Sequence, residues 1–193
     1  VKGVVKTALS MNIPKIRFTG GEPLLYPHLQ EVTEYAAAKG LIVHINSNGL
    51  LLTKHLHWMQ HVENLVVKVS LDAATPQALY EMSGVDRLER IVDGVRQGAA
   101  LGIVKRINFV LTSMNADQIP GVLALCKEVG IGLKIFDMYP VPETDTHWNM
   151  VYMPPDALTL EGRAAAPYGY TNRYGTPTRE LLVDGVPVRI KNC

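Results

Sequence analysis

The sequence predicts an α/β fold built from parallel strand–helix–strand units, and three observations carry that expectation. Five apolar runs of strand length alternate with segments of helical periodicity, joined by short connections, a pattern that implies parallel strands with right-handed crossovers. The strand runs are apolar, fitting a sheet covered by helices on at least one face. Polar and glycine-rich clusters close four of the five runs, and in a parallel α/β barrel, whole or partial, such carboxyl ends share one face.

Val1 to Met11 carries Val4, Val5, Ala8 and Leu9 at helical spacing, and Asn12 with Pro14 closes it. Ile16 to Thr19 reads as a strand that stops at Gly20-Gly21. Leu29, Val32 and Ala36 line one face of a helix that begins near Pro27 and ends at Gly40. Leu41 to Ile45 is the second strand, running into Asn46-Ser47-Asn48-Gly49. A short helix from Thr53, its expected cap, to His61 leads to the strand Leu65 to Leu71, which ends in Ser70-Leu71-Asp72. Helical segments follow over Pro76–Met82 and Asp86–Ala100; in the second, Leu88, Ile91, Val92, Val95 and Ala99 form an apolar stripe. Arg106 to Leu111 is the fourth strand. A helix over Asp117–Val129 places Ile119, Val122, Leu123 and Cys126 on one face, and the fifth strand, Gly132 to Asp137, runs into Met138-Tyr139-Pro140.

From Val141 the character changes. Prolines 140, 142, 154, 155, 167 and 177, with scattered tyrosines and glycines, read as irregular chain. Order is expected again where Asp184-Gly185 makes a hairpin turn between Leu181-Leu182-Val183 and Val186–Ile190, with Pro187 keeping the second strand at an edge. Residues 1–140 therefore read as a core and 141–193 as an irregular extension ending in a β-hairpin. No fixed-period repeat is visible.

A net charge of +1 gives no electrostatic case for nucleic acid or a membrane surface as partner. No stretch is long and apolar enough to span a bilayer, and the first residues lack a basic region followed by an apolar run, so the cytoplasm is the expected compartment. Two distant cysteines, Cys126 and Cys193, make neither a disulfide framework nor a metal-ligand spacing. The chain opens on Val1 instead of methionine and stops at Cys193 straight after a strand-like run, so a piece of a longer protein is expected.

The richest cluster is Thr19-Gly20-Gly21-Glu22-Pro23. Glycines let backbone approach a ligand closely and permit positive φ, and Glu22 adds a carboxylate at the strand's carboxyl end. Carbonyl oxygens and that carboxylate suit an ammonium group; the other reading is a tight loop with no ligand. Three further clusters, Asn46-Ser47-Asn48-Gly49, Ser70-Leu71-Asp72 and Asp137-Met138-Tyr139, sit at equivalent places and favour a ligand site.

The ordered series Lys15 to Pro23, Asn46-Ser47-Asn48-Gly49 and Val69-Ser70-Leu71-Asp72 resembles the radical S-adenosylmethionine enzymes. Leu79-Tyr80-Glu81-Met82-Ser83-Gly84 and Ile107-Asn108-Phe109-Val110-Leu111 extend the likeness, over residues 1–140, to the subgroup containing the GTP cyclase of molybdenum-cofactor biosynthesis. The resemblance implies a partial (βα) TIM-like barrel with five of the family's six strands. It also implies a [4Fe-4S] cluster that cleaves S-adenosylmethionine reductively, a protein reductant for that cluster, and a deoxyadenosyl radical that takes hydrogen from a small-molecule substrate, GTP first among the candidates. Carried across, Gly20, Gly21 and Glu22 hold the methionyl ammonium, Ser47, Asn48, Ser70 and Asp72 line the cofactor pocket, and Tyr139 takes an adenosine-side contact. Arg17, Asn46 and Arg106 fall at substrate positions, with Arg106 in place of the family's lysine and Asn46 in place of a threonine.

The family's Cys-x3-Cys-x2-Cys motif is absent, and two cysteines cannot supply three thiolates. No catalytic residue is therefore assigned within these residues. The missing first strand and the missing cysteines amount to one segment, expected within about 30 to 60 residues upstream of Val1. This chain alone is expected to be catalytically silent, with the Gly-Gly-Glu-Pro strand exposing an unpaired side. Cys126 reads as a core residue. Cys193 is open to two readings, a stray terminal residue or the first ligand of a second, C-terminal cluster. An S-adenosylmethionine-binding relative without a cluster is the competing class, and a relative acting on a different substrate is a further alternative. An unrelated phosphate-binding barrel lacks its glycine-rich loop, and a dinucleotide-binding fold lacks G-x-G-x-x-G.

Two other groups carry weaker signals. His57 and His61 lie four apart without an intervening glutamate, which favours a surface role over a metal site, and His28, His44, His55 and His147 show no pairing. Lys68 inside an apolar strand reads more readily as a lysine snorkelling at a sheet edge than as a Schiff-base residue. Trp148, Tyr152, Tyr168, Tyr170 and Tyr174 either cover the substrate face or form a structural wrap.

Overall fold

The computed structural model describes residues 2–138, 146–158, 160, 165–170 and 178–191, with backbone alone at 147 and 165–170. In chain order the elements are α1 (Lys2–Ser10), β1 (Lys15–Phe18), α2 (Leu29–Ala38), β2 (Ile42–Ser47), α3 (Leu52–Met59) and β3 (Leu65–Ser70). There follow α4 (Pro76–Ser83), α5 (Leu88–Ala100), β4 (Val104–Val110), α6 (Ile119–Val129) and β5 (Gly132–Phe136). The chain continues through α7 (Thr146–Val151), β6 (Ala165–Tyr170), β7 (Thr178–Val183) and β8 (Val186–Lys191). It divides into two compact units, Val1–Ser70 with Glu89–Lys105, and Leu71–Leu88 with Arg106–Cys193. Among the described residues no helix is long and apolar enough to cross a membrane.

In the first unit β1, β2 and β3 are parallel, in the register Arg17↔His44↔Val66 and Asn46↔Lys68. The strands alternate in burial: Val43, Ile45 and Ser47 of β2 and Leu65, Val67 and Val69 of β3 are buried, whereas His44, Asn46, Val66 and Lys68 are half-buried. The sheet thus has an apolar face and a polar one. Buried residues of α2 (Leu29, Val32, Ala36), α3 (Leu52, Leu56, Met59) and α5 (Ile91, Val95) complete this unit's core. At Gly98 an added Cβ would lie 2.5 Å from Val104 Cγ2, so α5 approaches the start of β4 as closely as a glycine permits. β1 is short and no residue in it is fully buried.

In the second unit β4, β5 and β8 are parallel, and β8, β7 and β6 are antiparallel. Ile107, Phe109, Leu133, Ile135, Val188 and Ile190 are buried on one face. The hairpin forms as expected, with Asp184 at φ 50° and Gly185 at φ 85°, the paired positive angles of a type I′ turn.

Several local expectations change. β8 is paired on both sides, not an edge: Pro187 opposes Leu182 across β7, while pairing with β5 begins one residue later at Val188. In a two-residue hairpin that second pair exchanges no hydrogen bonds, so the missing proline N–H costs β7 nothing. Thr53 is not the cap of α3; Leu51 takes that position without a side-chain hydrogen bond, and Thr53 lies inside the helix. The cap that the sequence hides is Thr75, whose Oγ1 accepts the Ala78 N–H at 3.3 Å ahead of Pro76. β6 lies in the stretch read as irregular, because Pro167 and Gly169 are poor strand residues; the pairing with β7 shifts register between them. Val4, grouped with the apolar face of α1, is 63% exposed, and only Val5 of that helix is buried.

Candidate functional site

The loops after β1 and β2 are joined by one carboxylate. Glu22 Oε1 accepts the Leu24 N–H at 3.0 Å and the Ser47 hydroxyl at 2.9 Å; Oε2 accepts the Asn48 N–H at 2.7 Å. Glu22 thereby caps the helical turn Pro23–Leu25 and fastens it to the second loop. That loop is braced from within: buried Ser47 Oγ accepts the Gly49 N–H at 2.9 Å, and Asn48 Oδ1 accepts the Leu50 N–H at 3.0 Å. Gly49 has φ 82°, and an added Cβ would lie 2.9 Å from both Ile91 Cγ2 and Val69 Cγ1, so both backbone angle and space require glycine.

Sequence reasoning assigned Glu22 to a ligand ammonium. Three of the roughly four acceptor positions of its carboxylate are taken by the protein, leaving one on Oε2. The two glycines before it are exposed, and a Cβ added at either would meet nothing within 4 Å. Gly20 has φ 129°, a glycine angle. No described residue donates to the Gly20 or Gly21 carbonyl. The strand end therefore holds carbonyl oxygens that accept from no described residue and one untaken position on the Glu22 carboxylate, a set of acceptors suited to an ammonium and not to an anion.

A second support of this loop had no sequence signal beyond an isolated histidine. His55 Nδ1 accepts the Trp58 Nε1–H at 3.1 Å, and the ring also bonds to the Leu24 backbone. Burial first, then the neighbouring His57, holds the His55 pKa below its ordinary value. His57 Nδ1 lies 2.9 Å from the Lys54 carbonyl, and His61 is exposed beyond the end of α3.

On the polar face of the first unit lie exposed Arg17 and half-buried His44, Asn46 and Lys68. Lys68 Nζ is 3.1 Å from His44 Nδ1, which places it within a sheet face and not at an edge. Asn46 Oδ1 is buried with no hydrogen-bond partner, an orphaned acceptor on the strand that ends at Ser47. Ser70 is exposed at the end of β3.

In the second unit Asp72 Oδ1 accepts the Val110 N–H at 2.7 Å. Burial raises its pKa, and the Val110 bond opposes that rise. Asn115, fully buried and not singled out from sequence, locks the same turn. Its Nδ2 donates to the carbonyls of Asp72 at 3.1 Å and Val110 at 3.0 Å, while its Oδ1 accepts the Thr112 N–H at 2.8 Å and hydroxyl at 2.9 Å. The spacing Thr112-x-x-Asn115 is the signal that would have found it. Arg106 is half-buried on β4; desolvation, and then the nearby Arg189, lower its pKa. Asp137 is buried. Tyr139, Tyr174 and Cys193 lie outside the described residues.

Among the described residues no group of three or more His, Cys, Asp or Glu is placed to hold a metal ion. Cys126 is buried on α6, its Sγ 3.7 Å from the Gly132 carbonyl, and burial pushes its thiol up to about 12. A cluster ligand must be a thiolate. The described residues therefore do not fit an iron–sulfur cluster.

The chain is 25% identical over 187 residues to a probable GTP 3',8-cyclase of Methanococcus maripaludis, covering 96% of this chain and 62% of the relative. It is 30% identical over 136 residues to the GTP 3',8-cyclase of Sulfurimonas denitrificans, covering 69% of this chain and 42% of that one. The chain thus spans about three-fifths of the length of the methanococcal relative. Streptococcus suis SuiB, solved bound to S-adenosylmethionine, shares the fold at a TM-score of 0.66 and 19% identity, over 74% of this chain and 34% of SuiB. With these likenesses, the parallel strands and helices are those of a partial TIM-like barrel. The model of the radical SAM superfamily matches residues 1–126, and the chain belongs to that superfamily.

Proposed function

We propose that the intact protein is a radical S-adenosylmethionine enzyme of the GTP 3',8-cyclase type, with the loops after β1 and β2 as the anchor for the methionyl end of the cofactor. The single observation that carries this is the Glu22 carboxylate, which ties the two loops together and leaves the Gly20 and Gly21 carbonyls and one Oε2 position open. The superfamily's cofactors are S-adenosylmethionine and a [4Fe-4S] cluster, which together supply hydrogen abstraction from a substrate.

The chain's own residues bind and orient. Carbonyls of the Gly20-Gly21 turn and the Oε2 lone pair of Glu22 take the ammonium, and buried Ser47 with the Asn48 N–H fixes the carboxylate that does so. Ser70, Asp72 and Tyr139 are proposed as further cofactor-side residues, although Asp72 already holds the Val110 N–H. Arg17, Asn46 and Arg106 are proposed on the substrate side, with GTP the first candidate. Two cysteines cannot meet a three-thiolate requirement, so the cluster ligands are assigned outside these 193 residues, which alone should show no turnover. Cys193 is kept as a candidate ligand of a second cluster, and a reductant protein is the expected partner.

The cysteine count also favours one other reading, a relative that binds S-adenosylmethionine without a cluster. Anaerobic iron and sulfide reconstitution of the protein with its upstream segment separates the two. Iron incorporation with deoxyadenosine formation under reduction is expected; a protein that takes up no iron and forms none leaves only the binding reading. In the active protein, Arg17→Ala and Arg106→Ala should each weaken GTP binding, and unchanged binding in both removes GTP as substrate.

A further inference from the structure

Trp58 fixes the protonation state of His55. An indole N–H can only donate, so the 3.1 Å contact of Trp58 Nε1 with His55 Nδ1 requires a lone pair on Nδ1. The imidazole is then neutral, with its proton on Nε2. The ring also bonds to the Leu24 backbone, whose N–H is already taken by Glu22, so the Nε2–H donates to the Leu24 carbonyl. Leu24 is thus gripped from both sides, by the Glu22 carboxylate at its N–H and by neutral His55 at its carbonyl. The His55 and Trp58 rings meet edge to face, with centroids 6.1 Å apart at 86°. Trp58 is buried, so an indole N–H that loses Nδ1 is left unpaired in the core.

We infer that His55 is a pH-sensitive positioning residue for the ammonium-binding turn, and that its neutral, Nε2-protonated form is the one that holds the turn ready for S-adenosylmethionine. This deepens the proposed function and rests on it in taking Gly20-Gly21-Glu22 as the methionyl anchor. A proton added to Nδ1 sets one N–H against another, so the Trp58 bond breaks and the ring turns away, taking the donor of the Leu24 carbonyl with it. The helical turn Pro23–Leu25 is three residues long and is capped by Glu22 itself, so a loosened Leu24 releases the carboxylate that takes the ammonium. The charged groups that face His55 are Glu22, at the cap of that turn, and Lys54 and His57 of α3. Burial most strongly, then His57 and Lys54, oppose the imidazolium, whereas Glu22 and the Leu24 bond favour it; the balance keeps the neutral form dominant near neutral pH. The folded pKa lies below the unfolded one. The stability that His55 contributes is therefore present above the ordinary imidazole range and is lost as pH falls through the lowered value.

The test is an NMR titration of the 193-residue chain from pH 7.5 to pH 5, first without ligand and then with S-adenosylmethionine. Without ligand, the imidazole nitrogen shifts should show the Nε2-protonated tautomer at pH 7.5. The Trp58 indole N–H and the Glu22 and Leu24 amides should then move together with the His55 titration. S-adenosylmethionine binding should weaken by about three- to tenfold over the same step. The ligand's own amino group only gains protons as pH falls, which favours an ammonium site, so the expected weakening has the opposite sign to the ligand's contribution. His55→Gln, which can donate to the Leu24 carbonyl but does not titrate, should remove the step, while His61→Gln, an exposed imidazole beyond α3, leaves it in place. If H55Q loses the wild-type circular dichroism spectrum, Trp58→Phe decides: without the indole donor, the His55 titration and the step in binding should both move to higher pH. A proton on Nδ1 at pH 7.5, turn amides that ignore the His55 titration, a step that survives in H55Q, or one that stays in place in W58F overturns the inference. Absence of S-adenosylmethionine binding at every pH contradicts the proposed anchor instead, and the ligand-free titration still decides the role of His55.

Discussion

Replacing Glu22 by alanine removes one side chain and three accepted hydrogen bonds at 3.0, 2.9 and 2.7 Å, from Leu24 N–H, Ser47 Oγ and Asn48 N–H. Hydrogen bonds to an ionised acceptor contribute about 1.5–3 kcal/mol each. Glu22 is half-buried and Asn48 exposed, so water recovers part of that loss, while buried Ser47 recovers little. A net destabilisation of about 2–4 kcal/mol follows. For a chain of this size it corresponds to a fall in Tm of roughly 5–15 °C. Glu22→Gln should fall between: the amide keeps one oxygen acceptor but presents NH2 where the second oxygen accepted. Thermal and urea unfolding, followed by circular dichroism, give the magnitude. Amide hydrogen exchange gives its location, with protection lost first at Leu24, Asn48 and Gly49. E22A unfolding like wild type, with those amides still protected, would show that the carboxylate does not join the two loops.

Four further outcomes follow from the same structure. Gly49→Ala places a Cβ 2.9 Å from Ile91 and Val69 at φ 82°, and should cost about 1–3 kcal/mol in urea unfolding. Asn115→Ala strips both carbonyl acceptors and the Thr112 donors of their buried partner and should cost about 2–4 kcal/mol; Asn115→Asp, which cannot donate to the Asp72 and Val110 carbonyls, should not rescue it. Burial raises the folded pKa of Asp72, so the folded state binds its proton more tightly than the unfolded one. Its contribution to stability is thus full below the ordinary carboxyl value and falls as pH rises through the raised one. Asp72→Asn keeps the Val110 acceptor without the charge, so its stability relative to wild type should rise across that window, as denaturant midpoints from pH 3 to 8 would register. In a Cys193→Ser chain the remaining thiol, Cys126, should resist thiol reagents at pH 8 until denaturant is added, because burial holds its pKa at about 12.

The strand–helix alternation was legible because each of the five strands of residues 1–140 is a short apolar run closed by glycine or polar residues. Strand boundaries drifted by one or two residues where polar side chains sit inside strands. Asn46 and Ser47 looked like the cluster beyond a strand ending at Ile45, yet they belong to β2, in which alternate residues face the polar side. The hairpin was readable because Asp184-Gly185 is a turn dipeptide, whereas its parallel partner β5 lies some fifty residues away and left no local trace. Gly20, Gly21 and Glu22 were legible as a cluster. That Glu22 turns inward to bind the loop of Ser47 and Asn48 was not, since a long-range carboxylate–amide pairing has no spacing to read. His55 with Trp58, and Asn115, were missed for the opposite reason: each looks like an ordinary helix or loop residue until its partners are placed. Arg189 fell in a stretch taken for an extension, and only the strand register sets it opposite Lys134 of β5.

The central claim is that the loops after β1 and β2 anchor the methionyl end of S-adenosylmethionine. Its most direct test is a two-dimensional amide NMR titration of this chain with S-adenosylmethionine and, separately, with methylthioadenosine, which lacks the methionyl ammonium and carboxylate. Saturable shifts at Gly20, Gly21, Glu22, Asn48 and Gly49 with S-adenosylmethionine, absent with methylthioadenosine, are predicted. Identical shifts with both compounds, or no shift at these amides, would contradict it.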